Sequence, residues 1–78
     1  MDQGFSDQKL QLLAAPFRLT ERETDVLLLL ARGRTQLAIA KKLSIAKGTV
    51  HTHVIHIYQK FGVNSQEELI QLIEDDAD

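Results

Sequence analysis

The sequence contains no cysteine and only one proline among its 78 residues. The absence of cysteine excludes disulfides, thiolate zinc sites and a thiol nucleophile. Long hydrophobic runs are missing as well: the longest, Val26–Ala31, has six residues, far short of the roughly 20 that span a membrane. Met1–Phe5 lacks the basic and apolar regions of a signal peptide. We therefore expect a cytoplasmic protein that has no contact with a membrane.

Motifs that carry catalysis are also missing. The chain has neither a phosphate-cradling G-x-x-x-x-G-K-[ST] loop nor a G-x-S-x-G nucleophile elbow. His51, His53 and His56 are close in sequence, but no acid or thiol lies nearby in the sequence to complete a tetrahedral metal site. A chain of this length forms one small domain, which leaves little room for a catalytic cleft. The sequence thus predicts a protein that is not an enzyme and holds no metal or cofactor.

Acidic residues are absent from one long stretch, although the net charge of the chain is −2. Between Val26 and Gln66 there is no Asp or Glu, and this stretch has six basic residues: Arg32, Arg34, Lys41, Lys42, Lys47 and Lys60. The last twelve residues, in contrast, contain six acids. Such segregation in a small domain favours a polyanion as the partner of the basic part. The alternative is a surface whose charges serve only solubility.

Local signals mark the beginnings and ends of four helices. Thr20-Glu21-Arg22-Glu23 and Ser65-Gln66-Glu67-Glu68 are predicted capping boxes, in which the first and fourth residues cap each other's backbone amides. Thr35 is a further N-cap candidate, and Gly33 and Gly62 are typical helix stops. Apolar residues of the third helix recur at i, i+4, i+7 and i+11: Val50, Val54, Ile57 and Phe61.

These signals predict an all-α protein of four helices, with Gln8–Ala15 as a candidate for a short additional helix. We expect residues 1–17 to form an N-terminal arm or linker, residues 18–73 the helical domain and residues 74–78 a frayed acidic tail. Helices over about 36–43 and 47–61, joined by roughly three residues, have the dimensions of a helix-turn-helix. In such a pair the first helix braces against the DNA backbone and the second lies in the major groove.

One further pattern extends over most of the chain. It comprises Leu19-Thr20-x-Arg22-Glu23-x-x-Val26-Leu27, Ala31-x-Gly33, Ile39-Ala40-x-x-Leu43-x-Ile45 and Gly48-Thr49-Val50-x-x-His53-Val54-x-x-Ile57-Tyr58-x-Lys60-Phe61-Gly62-Val63. From Leu19 to Ile73 the chain therefore resembles the LuxR/GerE family of bacterial transcription regulators. The resemblance implies a four-helix helix-turn-helix domain that binds double-stranded DNA as a homodimer. A sensor or receiver domain usually precedes this domain, so we expect either a stand-alone regulator or an excised C-terminal module.

The resemblance implies that helix 47–61 reads the major groove, and helical angles independently give the same orientation. With Val50 inward, the outward and flanking residues are candidates for base contacts: His51, Thr52, Ile55, His56 and Gln59. Ile55 would touch a thymine methyl, or else it contacts another protein. His51 stands where the family usually has lysine, and Gln59 where arginine is common. Base preference and affinity are therefore open.

Phosphate contacts are expected from residues at the edges of the same helix pair. Thr49 and Lys60 match family residues with this role, and the other basic candidates are Lys41, Lys42 and Lys47. His53 is equally compatible with a structural role and with a DNA contact. Ala46 replaces a common capping serine, and we expect this to cost the third helix about 1 kcal/mol of stability.

The last helix carries four large aliphatic residues within five positions, more than one inward stripe requires. Because the family dimerises through this helix, we expect Ile70 and Ile73 to be partly exposed dimer residues and Leu69 and Leu72 to lie more inward. The alternative is that all four belong to the core. A rival function also stays open, in which the basic face no longer binds DNA and the last helix engages a partner protein.

Overall fold

A computed structural model describes residues 7–77, and within this range the chain is helical without any strand, which confirms the all-α prediction. In chain order the elements are α1 (Asp7–Ala14), a 3-10 turn (Ala15–Phe17), α2 (Glu21–Ala31), α3 (Gln36–Leu43), α4 (Lys47–Phe61) and α5 (Gln66–Ala77). None of these helices is long and apolar enough to cross a membrane.

Side-chain caps begin α2 and α3 as the sequence predicts. The Thr20 hydroxyl accepts a hydrogen bond from the Glu23 backbone N–H at 3.1 Å, and Glu23 Oε1 accepts one from the Thr20 N–H at 3.1 Å. The Thr35 hydroxyl accepts from the Ala38 N–H at 3.1 Å. These bonds satisfy amide groups that have no partner inside the helix, so each helix begins at a defined residue.

The cap of α5 differs from the predicted reciprocal box. The Ser65 hydroxyl accepts from the Glu68 N–H at 3.1 Å, as expected. The Glu68 carboxylate, however, accepts from the Asn64 N–H at 2.8 Å, one residue before the predicted amide. The side chain thus fixes the loop that leads into α5, in addition to the start of the helix itself.

The turns between helices depend on left-handed backbone conformations. Gly33 (φ 82°) and Gly62 (φ 70°) adopt this conformation directly after α2 and α4, at the two predicted helix stops. Ser44 does the same after α3 with φ 57°, where a side chain is less favourable than glycine. Only Ser44–Ala46 separates α3 from α4. The short turn forces the two helices into the arrangement of a helix-turn-helix.

The core lies between α2, α4 and α5. The stripe predicted for α4 is buried completely: Val50, Val54, Ile57 and Phe61. It packs against α2, whose buried apolar residues are Val26, Leu27, Leu30 and Ala31. The ring of Phe61 stacks on Phe17 with centroids 4.2 Å apart. The Tyr58 ring lies at the edge of this core, and burial raises its pKa.

The N-terminal segment is part of the domain rather than a separate arm. Helix α1 contacts both α2 and α5, and it buries Leu10 and Ala14 in the common core. The expected additional helix therefore exists, and it is followed by the 3-10 turn. The part of the predicted arm over residues 1–6 lies outside the described residues.

The C-terminal segment also differs from the prediction of a frayed tail. Helix α5 continues beyond Ile73 to Ala77, so residues 74–77 form its last turn. No glycine or proline follows Ile73 to stop the helix, and Glu74 and Asp75 are exposed to solvent there. Residue 78 lies outside the described residues.

Helix α4 begins without a side-chain cap, which yields a prediction about stability. Ala46 occupies the N-cap in an extended conformation (φ −68°, ψ 147°) and offers no acceptor to the first turn. Ala46→Ser supplies a hydroxyl, so we expect about 1 kcal/mol of stabilisation, measured by urea unfolding. Ala46→Val is the control, because it adds a side chain without an acceptor. Equal stabilities of the two variants would contradict this interpretation.

Candidate nucleic-acid interface

The outer face of α4 presents all five predicted base-reading residues to solvent: His51, Thr52, Ile55, His56 and Gln59. Ile55 is 40% exposed, although it is a large aliphatic residue on a helix whose opposite face is fully buried. The Thr52 hydroxyl donates to the Gly48 carbonyl at 3.1 Å, which leaves the methyl group and the oxygen lone pairs for other contacts. The structure thus brings these residues together on one helix surface.

His51 is joined to α3 by a contact that sequence reasoning did not find. Its Nδ1 lies 3.2 Å from Oε1 of Gln36, the first residue of α3. The contact orients the imidazole at the beginning of the exposed face. Nothing in the sequence marks Gln36, because the pair is separated by 15 positions and exists only once α3 and α4 are packed.

The predicted phosphate contacts occupy different environments. Lys41, Lys42, Lys47 and Thr49 are exposed. His53 is half-buried, and its Nδ1 is buried without a hydrogen-bond partner among the described residues. This environment keeps both expectations for His53 open, since a buried ring nitrogen is neither satisfied by the protein nor freely exposed.

Two further predicted DNA contacts have partners inside the protein. His56 Nδ1 lies 3.2 Å from Glu23 Oε2, and Lys60 Nζ donates to Glu23 Oε1 at 3.3 Å. Lys60 Nζ also donates to the carbonyl of Arg18 at 3.2 Å. Both remain predictions as DNA contacts, but the charge of Lys60 is partly neutralised by a buried carboxylate.

Glu23 is the residue that joins these groups, and sequence reasoning assigned it only to the cap of α2. Glu23 is 5% exposed. Its two carboxylate oxygens contact the backbone N–H of Thr20, the N-cap of α2, and the side chains of His56 and Lys60 on α4. Burial raises its pKa, but the hydrogen bonds from the Thr20 N–H, Lys60 and His56 outweigh burial, so the pKa lies below its ordinary value. Glu23 is therefore a carboxylate that holds α4 against α2.

The expected dimer residues of α5 are separated by the structure. Ile70 is half-buried and does not pack against the core cluster. Ile73 is fully buried at 0% exposure, so the prediction that it is partly exposed is wrong. It lies four positions after Leu69, which is also fully buried, and both residues fill the same inward stripe of α5. Leu72 is half-buried and packs against the core.

The chain is similar in sequence to known bacterial regulatory proteins. Residues 18–73 match the family described as bacterial regulatory proteins, luxR family. The chain is 42% identical over 57 residues to the oxygen regulatory protein NreC of Staphylococcus carnosus, covering 72% of this chain and 26% of that protein. It is 43% identical over 54 residues to the uncharacterized response regulatory protein YgeK of Escherichia coli, covering 69% and 37%.

A putative HTH-type transcriptional regulator of Mycobacterium tuberculosis is 40% identical over 52 residues, covering 67% of this chain and 6% of that protein. The chain thus spans at most 37% of the length of these three relatives. No solved structure matches the chain significantly.

The contacts of Glu23 predict a specific dependence of stability on pH. Because its pKa is lower in the folded state, its contribution is complete above the unfolded pKa and is lost as pH falls through the folded pKa. Glu23→Gln keeps an acceptor for the Thr20 N–H but removes the charge. We expect about 1–3 kcal/mol of destabilisation at pH 7, shrinking toward zero in acid, measured by urea unfolding across pH.

Glu21→Gln serves as the control for this measurement. Glu21 lies in the same first turn of α2 but is exposed, so its removal tests the effect of the helix dipole alone. Equal losses from the two substitutions at pH 7, or a loss for Glu23→Gln that stays constant in acid, would contradict the role given to the Glu23 carboxylate.

Proposed function

Because the chain belongs to the luxR family of bacterial regulatory proteins, we propose that it regulates transcription by sequence-specific binding of double-stranded DNA through α4. The observation that carries the proposal is the exposed face of α4, where polar and apolar side chains stand on a helix fixed by a short turn after α3. The major groove of B-DNA is about 12 Å wide and admits one α-helix.

The chemistry of this face suits base edges. Thr52, Ile55 and Gln59 recur at three- and four-residue spacing and therefore lie on one side of α4. Gln59 offers both a donor and an acceptor, as does the imidazole of His51 about two turns earlier on α4, and these groups suit hydrogen bonds to bases. Ile55 suits the methyl group of thymine, which explains why an aliphatic residue at this position is compatible with solvent exposure in the free domain.

The electrostatic surroundings of this face support the same proposal. Lys47 and Thr49 lie in the first turn of α4, and Lys41 lies on α3, where each side chain is exposed to solvent. No acid occurs between Val26 and Gln66 to repel a phosphate from these helices. We propose phosphate contacts for these three residues. Lys60 contributes less, because it shares its charge with Glu23.

Dimerisation on DNA is the second part of the proposal. Among the aliphatic residues over positions 66–75 of α5, Ile70 is the one that is partly exposed without packing on the core cluster. An interface built around one residue of one helix per subunit is small. We therefore propose that pairing is weak in solution and is driven by two adjacent DNA half-sites, which raise the effective concentration of the second subunit.

Salt dependence tests the DNA proposal directly. With purified domain and duplexes selected from a random library, fluorescence anisotropy should give a log–log slope of affinity against salt on the order of −5 to −7 for a dimer. Lys47→Ala should weaken binding to all DNA sequences alike and make the slope less steep. Ile55→Ala should instead change the preferred sequence.

Lys9→Ala is the matched charge control, because Lys9 lies on α1, away from α3 and α4, and its loss should leave the slope unchanged. Absence of binding at low salt would overturn the proposal. It would favour the rival function, a module that binds another protein.

Ile70 provides the test of pairing. Ile70→Asp should abolish cooperative binding to two half-sites about one helical turn apart, while binding to a single half-site and the circular dichroism spectrum stay unchanged. Leu12→Asp is the control, because Leu12 is 70% exposed on α1. Cooperativity that survives in the Ile70 variant would show that the pairing surface lies elsewhere.

A further inference from the structure

A cavity of about 250 Å³ lies between α2, the loop that follows it, and α3. Its walls combine three basic and three apolar side chains: Arg32, Arg34, Lys42, Leu29, Ala38 and Ile39. The apolar residues form a floor, since Ile39 is fully buried and Leu29 and Ala38 are half-buried. The DNA contacts proposed above do not involve this combination of basic and apolar side chains.

The three basic residues differ in their ionic partners. Arg32 is paired with the carboxylate of Asp7 on α1. Arg34 and Lys42 form no ion pair with any of residues 7–75, whose side chains the structure describes. A guanidinium and an ammonium group thus face a cavity without a counter-charge from residues 7–75, and a carboxylate is the group that both bind strongly.

The position of the cavity separates it from the proposed DNA surface. None of its six lining residues belongs to α4. Ala38 and Lys42 are four positions apart and share one side of α3, whereas Lys41 is turned about 100° away on the helix. A duplex that occupies the outer face of α4 therefore does not need this side of α3. Lys42, expected from the sequence to contact phosphate, lines the cavity, and its phosphate contact stays a prediction.

The size and lining of the cavity restrict its occupant. A volume of about 250 Å³ is smaller than the roughly 300–1,000 Å³ of pockets that enclose whole small ligands. It accommodates a few side chains instead. An inorganic anion or a DNA phosphate would leave the apolar floor unused, whereas an acidic side chain with an aliphatic neighbour would contact both the floor and the cations.

We propose that this cavity binds an acidic segment of a partner protein, with a carboxylate between Arg34 and Lys42 and an aliphatic side chain on Leu29 and Ala38. The charge complementarity is provided by two cations that form no ion pair with residues 7–75. None of the lining residues lies on α4, so we expect a domain bound to DNA to receive the partner as well. The proposal does not depend on DNA binding and can be tested in its absence.

The experiment uses the ¹⁵N-labelled domain and a synthetic probe peptide in which glutamates alternate with leucines. Titration followed by NMR should shift backbone amides of residues 29–42 selectively. Each of Arg34→Ala and Lys42→Ala should weaken binding about three- to fivefold. Lys41→Ala is the matched control, because it removes the same charge from the next position of α3, and it should leave binding unchanged.

Further probes separate the possible occupants. The same peptide with glutamines in place of glutamates should not bind. Inorganic phosphate should shift the backbone amides less than the peptide does, and it should not shift those of Leu29 and Ala38. Adding a duplex that binds α4 should not displace the peptide. The proposal would be overturned if Lys41→Ala weakened peptide binding as much as Lys42→Ala, or if phosphate shifted the same amides as strongly as the peptide. It would also be overturned if the duplex displaced the peptide, or if millimolar peptide shifted no amides selectively.

Discussion

One buried carboxylate joins the start of α2 to α4, beside the apolar core that packs the two helices together. Glu23 caps its own helix through the Thr20 amide and, with the same side chain, contacts His56 and Lys60 on α4. Lys60 continues the connection to the carbonyl of Arg18, just before α2. Glu23 is 5% exposed, and burying its charge costs free energy unless hydrogen bonds replace those that it makes to water. These donors provide those hydrogen bonds. The start of α2 and the C-terminal half of α4 are therefore fixed by the same group, and with them the direction in which the outer face of α4 points.

The distribution of charge has more than one consequence for the surface. Most cations of the long acid-free stretch form no ion pair with the side chains that the structure describes, and the fold divides them between two sides of the domain. Lys41 and Lys47 are exposed on α3 and α4, while Arg34 and Lys42 line the cavity next to α2. One compositional bias can thus support two interactions with different chemistry. Polar base edges suit the first surface, and an acidic segment with aliphatic side chains suits the second.

The differences between expectation and structure concern the two ends of the chain. At the N-terminus, α1 buries Leu10 and Ala14 and so belongs to the core instead of preceding it. At the C-terminus, α5 continues through the acidic residues, and Ile73 lies inside the domain together with Leu69. Both differences depend on contacts between helices that are distant in the sequence, α1 with α5 among them. Four aliphatic residues in five positions cannot all be assigned to core or surface without knowing which neighbours cover them, and here α1 and α2 both contact α5.

The sequence by itself determined the helices, their caps at Thr20 and Thr35, their glycine stops and the buried stripe of α4. These features rest on interactions between residues three or four positions apart, which a linear pattern records. It also determined that the predicted base-reading residues share an exposed face. Only the tertiary structure decided that Glu23 contacts α4, that Gln36 holds His51, and that Arg34 and Lys42 share a cavity. Some of these contacts join residues up to 37 positions apart. They depend on how the helices pack, and packing is set by the whole core at once rather than by any local segment.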